Sequence, residues 1–282
     1  MKKSIMLFIK SLLIVAIFMV STMLTGALIT PLFGIDLSHL KMPAQDKAMM
    51  GLFTTAVIQS LILILIASRA KLKGKGLAFL LTAVFFIINH VLNVIESLVF
   101  MRNVYPVAFQ MVNLFNGLIV AVILGFSVSF LFGSKNDVVD EIDFIWSKKL
   151  ILPWIRWIIL WFVIYFCAGL LIPMNVEGVS EFYFSEQGAM DMSLVPIGYL
   201  MQIPRGSLWI LLAIYLMKYL KGDWMEKSLI TGLTFSCLMS SDLLSPNFLM
   251  PDLVRLAHLP EILYANLFWG VIISWKVKKH FK

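Results

Sequence analysis

The sequence predicts an all-α, polytopic transmembrane helix bundle of about eight spans, both termini cytoplasmic, forming a single integral membrane domain over residues 1–282. Three observations predict it. The chain is 60% hydrophobic and 14% charged, whereas a soluble domain carries roughly a quarter charged residues. Only lipid can cover so much apolar side chain. The apolar residues fall in runs of about 20, the length that crosses a bilayer core. Lys and Arg gather in alternate connections between those runs.

The runs are 11–34, 50–68, 76–100, 107–132, 150–172, 194–217, 229–248 and 255–275. The first follows Met1-Lys2-Lys3, and Thr25-Gly26-Ala27 offers a small-residue cleavage site. However, Lys10 interrupts the run, and Ser11 to Ile35 exceeds a signal-peptide core of about 7–15 residues. A retained helix is expected. The second run carries Gln59 near its middle. In the third, Asn89, Asn93 and Glu96 share one helical stripe, with His90 beside it and in reach of Asn93. In the fourth, Gln110, Asn113 and Asn116 line one edge.

The fifth run is bracketed by Trp146, Trp154 and Trp157, which favour the headgroup level. The sixth contains Pro196, Pro204 and the segment Gln202 to Ser207, which predicts a kink or a short unwound piece. The seventh runs through Ser240, Ser241, Asp242 and Ser245 to Pro246. In the eighth, Arg255, His258 and Glu261 repeat every third residue. If that helix starts at Pro260, Arg255 and His258 belong instead to an ordered loop before it. No soluble domain or strong repeat relates residues 1–140 to 141–282.

The connections test this count. Lys2 and Lys3 precede the first run, and Arg69, Lys71, Lys73 and Lys75 follow the second. Lys135, Lys148 and Lys149 follow the fourth, and Lys218, Lys221 and Lys227 the sixth. Lys276, Lys278, Lys279 and Lys282 form the tail. The opposite connections hold only Lys41, Lys47 and Arg102, with Glu177, Glu181, Glu186 and Asp191 between the fifth and sixth runs. The alternation requires an even number of crossings and a multi-pass protein of the cell (plasma) membrane. It also accounts for the net charge of +7, so nucleic acid is not expected as a partner; no soluble basic domain exists to hold it. Cys167 and Cys237 differ in depth by on the order of 10 Å, beyond the roughly 7 Å a disulfide spans.

Ionisable residues inside spans are costly and mark function. Reckoned from the basic flanks, His90, Asp242, Arg205 and Glu261 lie roughly 20–22 Å deep, His258 roughly 27 Å and Glu96 roughly 31 Å. The sequence therefore predicts that His90, Glu96, Asp242, Arg205, Arg255, His258 and Glu261 surround one outward-opening pocket, with Asn93 and Asn113 on its wall.

Three functions fit such a pocket. In a membrane-embedded hydrolase or transferase acting on a lipid or peptide, His90, Glu96, His258 and Glu261 supply acid–base groups or ligands for a divalent metal. Arg205, Arg255, Asn93, Asn113 and Asp242 then hold the substrate. A small-solute or ion transporter is the second. The third is a non-catalytic partner, namely an immunity, sensory or assembly subunit. Phe86-Ile87-Ile88-Asn89-His90 matches the Phe-x-x-x-His element of the CAAX-protease and bacteriocin-processing membrane family. The Glu-Glu-x-x-x-Arg and His-x-x-x-Asn/Asp elements of that family are absent, so none of its residue roles carries over.

Overall fold

The computed structural model describes residues 2–35, 43–133, 143–185, 188–247 and 249–281. Lys41, Lys135, Glu186 and Lys282 lie outside the described residues. Helices come in the order α1 (Lys2–Leu32), α2 (Gln45–Arg69), α3 (Gly74–Phe86), α4 (Leu92–Phe100), α5 (Val107–Phe132), α6 (Ile151–Leu171), α7 (Val179–Phe184), α8 (Val195–Tyr219), α9 (Trp224–Ser241) and α10 (Asp252–Val277). A π turn, Ile87–Val91, joins α3 to α4 in one long helix. Among the described residues the only extended pairings are two isolated bridges, Ala70 with Leu220 and Phe144 with Phe281.

The surface pattern is that of a chain solvated by lipid. Phe130, Leu32 and Leu171 are 88%, 77% and 72% exposed, while Ser228, Thr231, Thr234, Ser240 and Ser241 are buried. Water would reverse that distribution. Among the described residues, seven helical stretches are long and apolar enough to cross a membrane. The exception among the eight expected spans is α9. It is buried along most of its length, against α10, α2 and α8. A helix walled by protein needs no apolar surface, so it carries hydroxyls instead. Thr231 and Thr234 each donate to the carbonyl one turn back, at 2.8 and 2.7 Å, and Ser236 donates to the Leu263 carbonyl at 2.6 Å. Trp161, Trp209 and Trp269 stack at the centre of the core, with ring centroids 5.6–5.9 Å apart.

Four points of the sequence reading are changed or decided. The α8 helix is continuous through Pro204, with no unwound piece. The irregularity falls in the third span, which is not one regular helix but widens into the π turn at His90. The α10 helix starts at Asp252 and runs through Pro260, so Arg255, His258 and Glu261 share a helical stripe and not a loop.

The fourth change is an internal repeat. α1 packs on α2 and α5, and α5 packs chiefly on α3. α6 packs on α8 and α10, and α10 chiefly on α9. The same four-helix pattern therefore occurs twice. Between the two units, α2 packs on α9 as α8 packs on α4. The turns after α2 and α8 meet reciprocally: Lys71 N donates to Tyr219 O and Lys221 N to Arg69 O, both at 2.7 Å. Matching positions recur. Pro106 and Pro251 precede α5 and α10 in the same extended conformation. Gln110, Asn113 and Asn116 then stand where Arg255, His258 and Glu261 stand. Further along, Gly125 abuts α3 at Thr82 as Gly270 abuts α9 at Gly232. Only proline and glycine are identical across these positions, so the sequence hides the repeat.

Candidate functional site

The Ala70–Leu220 seam marks the end of the bundle that carries most of the basic residues, and polar contacts tie the helices together there, beside an apolar groove of about 510 Å³ lined by Leu72, Gly76, Leu208, Leu212, Tyr215 and Tyr219. Arg69 pairs with Glu226 at 2.9 Å across the seam, and Lys218 with Asp143 at 2.7 Å. Lys278 lies 4.4 Å over the Trp224 ring. Toward the opposite end three adjoining cavities open between the helices. The first, about 160 Å³, is lined by Glu96, Tyr165, Tyr183, His258 and Glu261 among aromatic and aliphatic side chains. The second, about 350 Å³, shares Glu96, Tyr183 and His258 and adds Asn93, Asn113 and Asp242. The third, about 270 Å³, shares Asn113 and Asp242 and adds His90, Gln59 and Asn116.

The expected single pocket is thus a row of three, and the expected residues divide between two polar clusters. One lies at the third cavity. The π turn presents His90, whose Nδ1 is 3.0 Å from Asn113 Oδ1. The ring lies flat on α5 because Gly117 has no side chain; a Cβ there would stand 2.2 Å from the ring. Asn116 accepts the Thr25 hydroxyl. Gln59 Nε2 faces Asp242 at 2.8 Å, Ser241 at 2.9 Å and Asn89 at 3.0 Å, and so ties α2 to α9 and to the π turn. Asn93 turns back to donate to the Asn89 carbonyl at 2.7 Å.

The other cluster lies at the first cavity. Glu96 accepts from both Arg205 and the Tyr165 hydroxyl. The Arg205 guanidinium lies 4.7 Å over the Tyr165 ring and 5.6 Å over Trp161, so a buried cation is balanced by a carboxylate and two π faces. His258 joins Glu261 through Nδ1, and its Nε2 is 2.9 Å from the Tyr183 hydroxyl. Burial first, then the Glu96 and Glu261 carboxylates, push the Tyr183 phenol well above its ordinary value, so it stays an O–H donor. The Glu261 carboxylate fits against Gly169 of α6, where a Cβ would stand 3.2 Å away.

Arg205 and Arg255 line none of the three cavities. Arg255 instead caps the Leu243 carbonyl and pairs with Asp252 at 2.7 Å. His90 and His258 open onto different cavities, so one site does not join them. Among the described residues, no three of His, Cys, Asp and Glu come together as a metal-ligand set. Tyr165 and Tyr183 are the members that sequence reasoning misses. Their rings read as ordinary apolar or interfacial residues, and only the packing turns their hydroxyls inward.

The fold, with seven helices among the described residues apolar and long enough to cross a membrane, suggests an α-helical integral membrane protein, and a row of three cavities lies between its helices. Comparison with known proteins takes the assignment no further: no family model fits the sequence, and no curated protein or solved structure is similar to it.

Proposed function

We propose that this chain is a cell-membrane transporter for a small solute, with eight spans and both termini cytoplasmic. One observation carries the reading: two four-helix repeats meet at a seam whose backbones pair at the basic end and whose polar-lined cavities lie toward the other. Parallel repeats about an axis along the membrane normal, with ligand groups between them, are a recurrent transporter plan. The positive-inside rule assigns the paired end to the cytoplasm. Burial of α9 among protein neighbours explains how an eighth crossing tolerates its hydroxyls. On this reading Asn93, Asn113, Asp242, Glu96, His258 and Glu261 contact solute, Arg205 and Arg255 hold helices, and His90 positions Asn113.

The Tyr183–His258–Glu261 chain favours a second reading, a hydrolase or transferase for a lipid or peptide, because a carboxylate-oriented imidazole suits general acid–base work. The two readings differ in access. A transporter exposes its cavities alternately to both sides, whereas an enzyme keeps one mouth. The test replaces Asn113 by Cys, in a background lacking Cys167 and Cys237, and labels it with a membrane-impermeant maleimide. Labelling is expected in intact cells and in inverted vesicles. Ala70 and Leu220 are directly opposed in a non-hydrogen-bonded pair, with Cα atoms roughly 4.5 Å apart. An oxidised Ala70→Cys/Leu220→Cys pair should abolish labelling in the vesicles and spare it in cells. Labelling from one side only before the cross-link is formed would overturn transport in favour of the fixed site.

A further inference from the structure

The first cavity is built unlike the other two. Its walls are Phe100, Tyr165, Phe166, Tyr183 and Phe184, with Met174, Met190 and Leu170, and its polar floor is Glu96, His258 and Glu261. The charges on that floor do not cancel. Arg205 neutralises Glu96. Glu261, only 5% exposed, faces His258. His258 stands between Glu261 on its Nδ1 side and the Tyr183 hydroxyl, 2.9 Å from its Nε2. The floor thus sets two carboxylates against one guanidinium. Glu261 is the carboxylate without a guanidinium or ammonium partner among the described residues, and aromatic faces ring it.

We propose that this cavity binds a monovalent organic cation, a quaternary or protonated amine on an aromatic or aliphatic body. The inference rests on the cavity being the ligand site of the transport reading and names the substrate class. The surplus carboxylate supplies charge, the aromatic faces take an ammonium without stripping hydrogen bonds it cannot replace, and the two methionines adapt to its body. A metal cation lacks the oxygen shell it needs here. An anion meets Glu96 and Glu261 with Arg205 already engaged. The mouth is apolar, with Leu170 and Phe184 63% and 50% exposed, so the body of the ligand enters past greasy side chains. The matched position in the first repeat is neutral: Asn116 stands where Glu261 stands, against α1 instead of α6. The repeats have therefore diverged so that one carries charge.

The test is equilibrium binding of benzyltrimethylammonium to the purified full chain in detergent, with benzenesulfonate as a size-matched anion. Saturable binding of the cation and none of the anion are expected. Glu261→Gln should weaken binding about tenfold or more, while Glu261→Asp, which keeps the charge, should stay within about threefold. Phe166→Leu, which leaves every charge in place, should weaken it about threefold. No cation binding, equal binding of the anion, or wild-type affinity in Glu261→Gln would overturn the proposal. This readout needs no movement across the membrane. A protein that binds the cation but labels from one side only defeats transport and keeps the cation site; the converse defeats the cation site alone.

Discussion

Arg205 is the most buried cation among the described residues, 1% exposed, and Glu96 is its counter-charge at 23%. Removing one partner of such a pair leaves a desolvated charge, whereas removing both does not. Glu96→Ala should therefore cost about 3–5 kcal/mol of stability. Glu96→Leu/Arg205→Leu should restore most of it. Unfolding in mixed detergent micelles, followed by tryptophan fluorescence, measures both; equal loss in single and double variants would show that the pair holds nothing together. Depth was legible here and direction was not. Helical rise sets how far each residue lies from the basic flank, which puts Glu96, Arg205, His258 and Glu261 at similar depth, and in the structure Glu96 meets Arg205 and His258 meets Glu261. Which way a side chain turns depends on neighbouring helices. That is why Arg205 was expected at a cavity wall and instead lies under Tyr165, and why the two tyrosines escaped notice.

Helix packing explains where the elements depart from expectation. Pro204 sits inside α8 and deletes one backbone donor, yet the helix runs through it unbroken. In the third span no proline or glycine announces the π turn. It is positioned by Gly117 on α5, which makes room for the His90 ring, and a gap on a neighbouring helix leaves no local mark on the turning segment. Glycine at close crossings is the clearest element-level signal. Gly270 approaches Gly232 so closely that an added Cβ would stand 2.6 Å from the Gly232 Cα. The nearest atom is backbone, so it cannot swing aside. Gly270→Ala should destabilise by about 1–3 kcal/mol through overpacking, read as a lower melting temperature in detergent. Gly76→Ala, whose nearest neighbour is 3.7 Å away, should leave it unchanged. An unchanged melting temperature in Gly270→Ala would mean that α9 and α10 do not pack as described.

At the scale of the molecule, the two-fold plan and the charge pattern constrain each other. On the proposed topology two repeats of four crossings each begin on the same side, which puts the turns after α2 and α8 on one face, and those turns do meet at Ala70 and Leu220. Both turns are basic, through Arg69, Lys71 and Lys73 in one and Lys218 and Lys221 in the other. The alternation of Lys and Arg was readable because membrane insertion acts on loops directly. The repeat was not, because pairs such as Asn113/His258 and Asn116/Glu261 keep position while losing identity. If α9 fails to cross, the repeats become unequal and α10 reverses, which sends the Lys276–Lys279 end to the opposite face from Lys148. Cysteines at Lys148, Glu177 and Lys279 distinguish these arrangements in intact cells. An impermeant maleimide should label Glu177→Cys and spare Lys148→Cys and Lys279→Cys until the membrane is permeabilised. Labelling of Lys279→Cys with Lys148→Cys still protected would remove the eighth crossing and, with it, the parallel repeat on which alternating access depends. Labelling of both lysine positions with Glu177→Cys protected would keep the repeat but invert it, so that the cavities would draw their ligand from the cytoplasm.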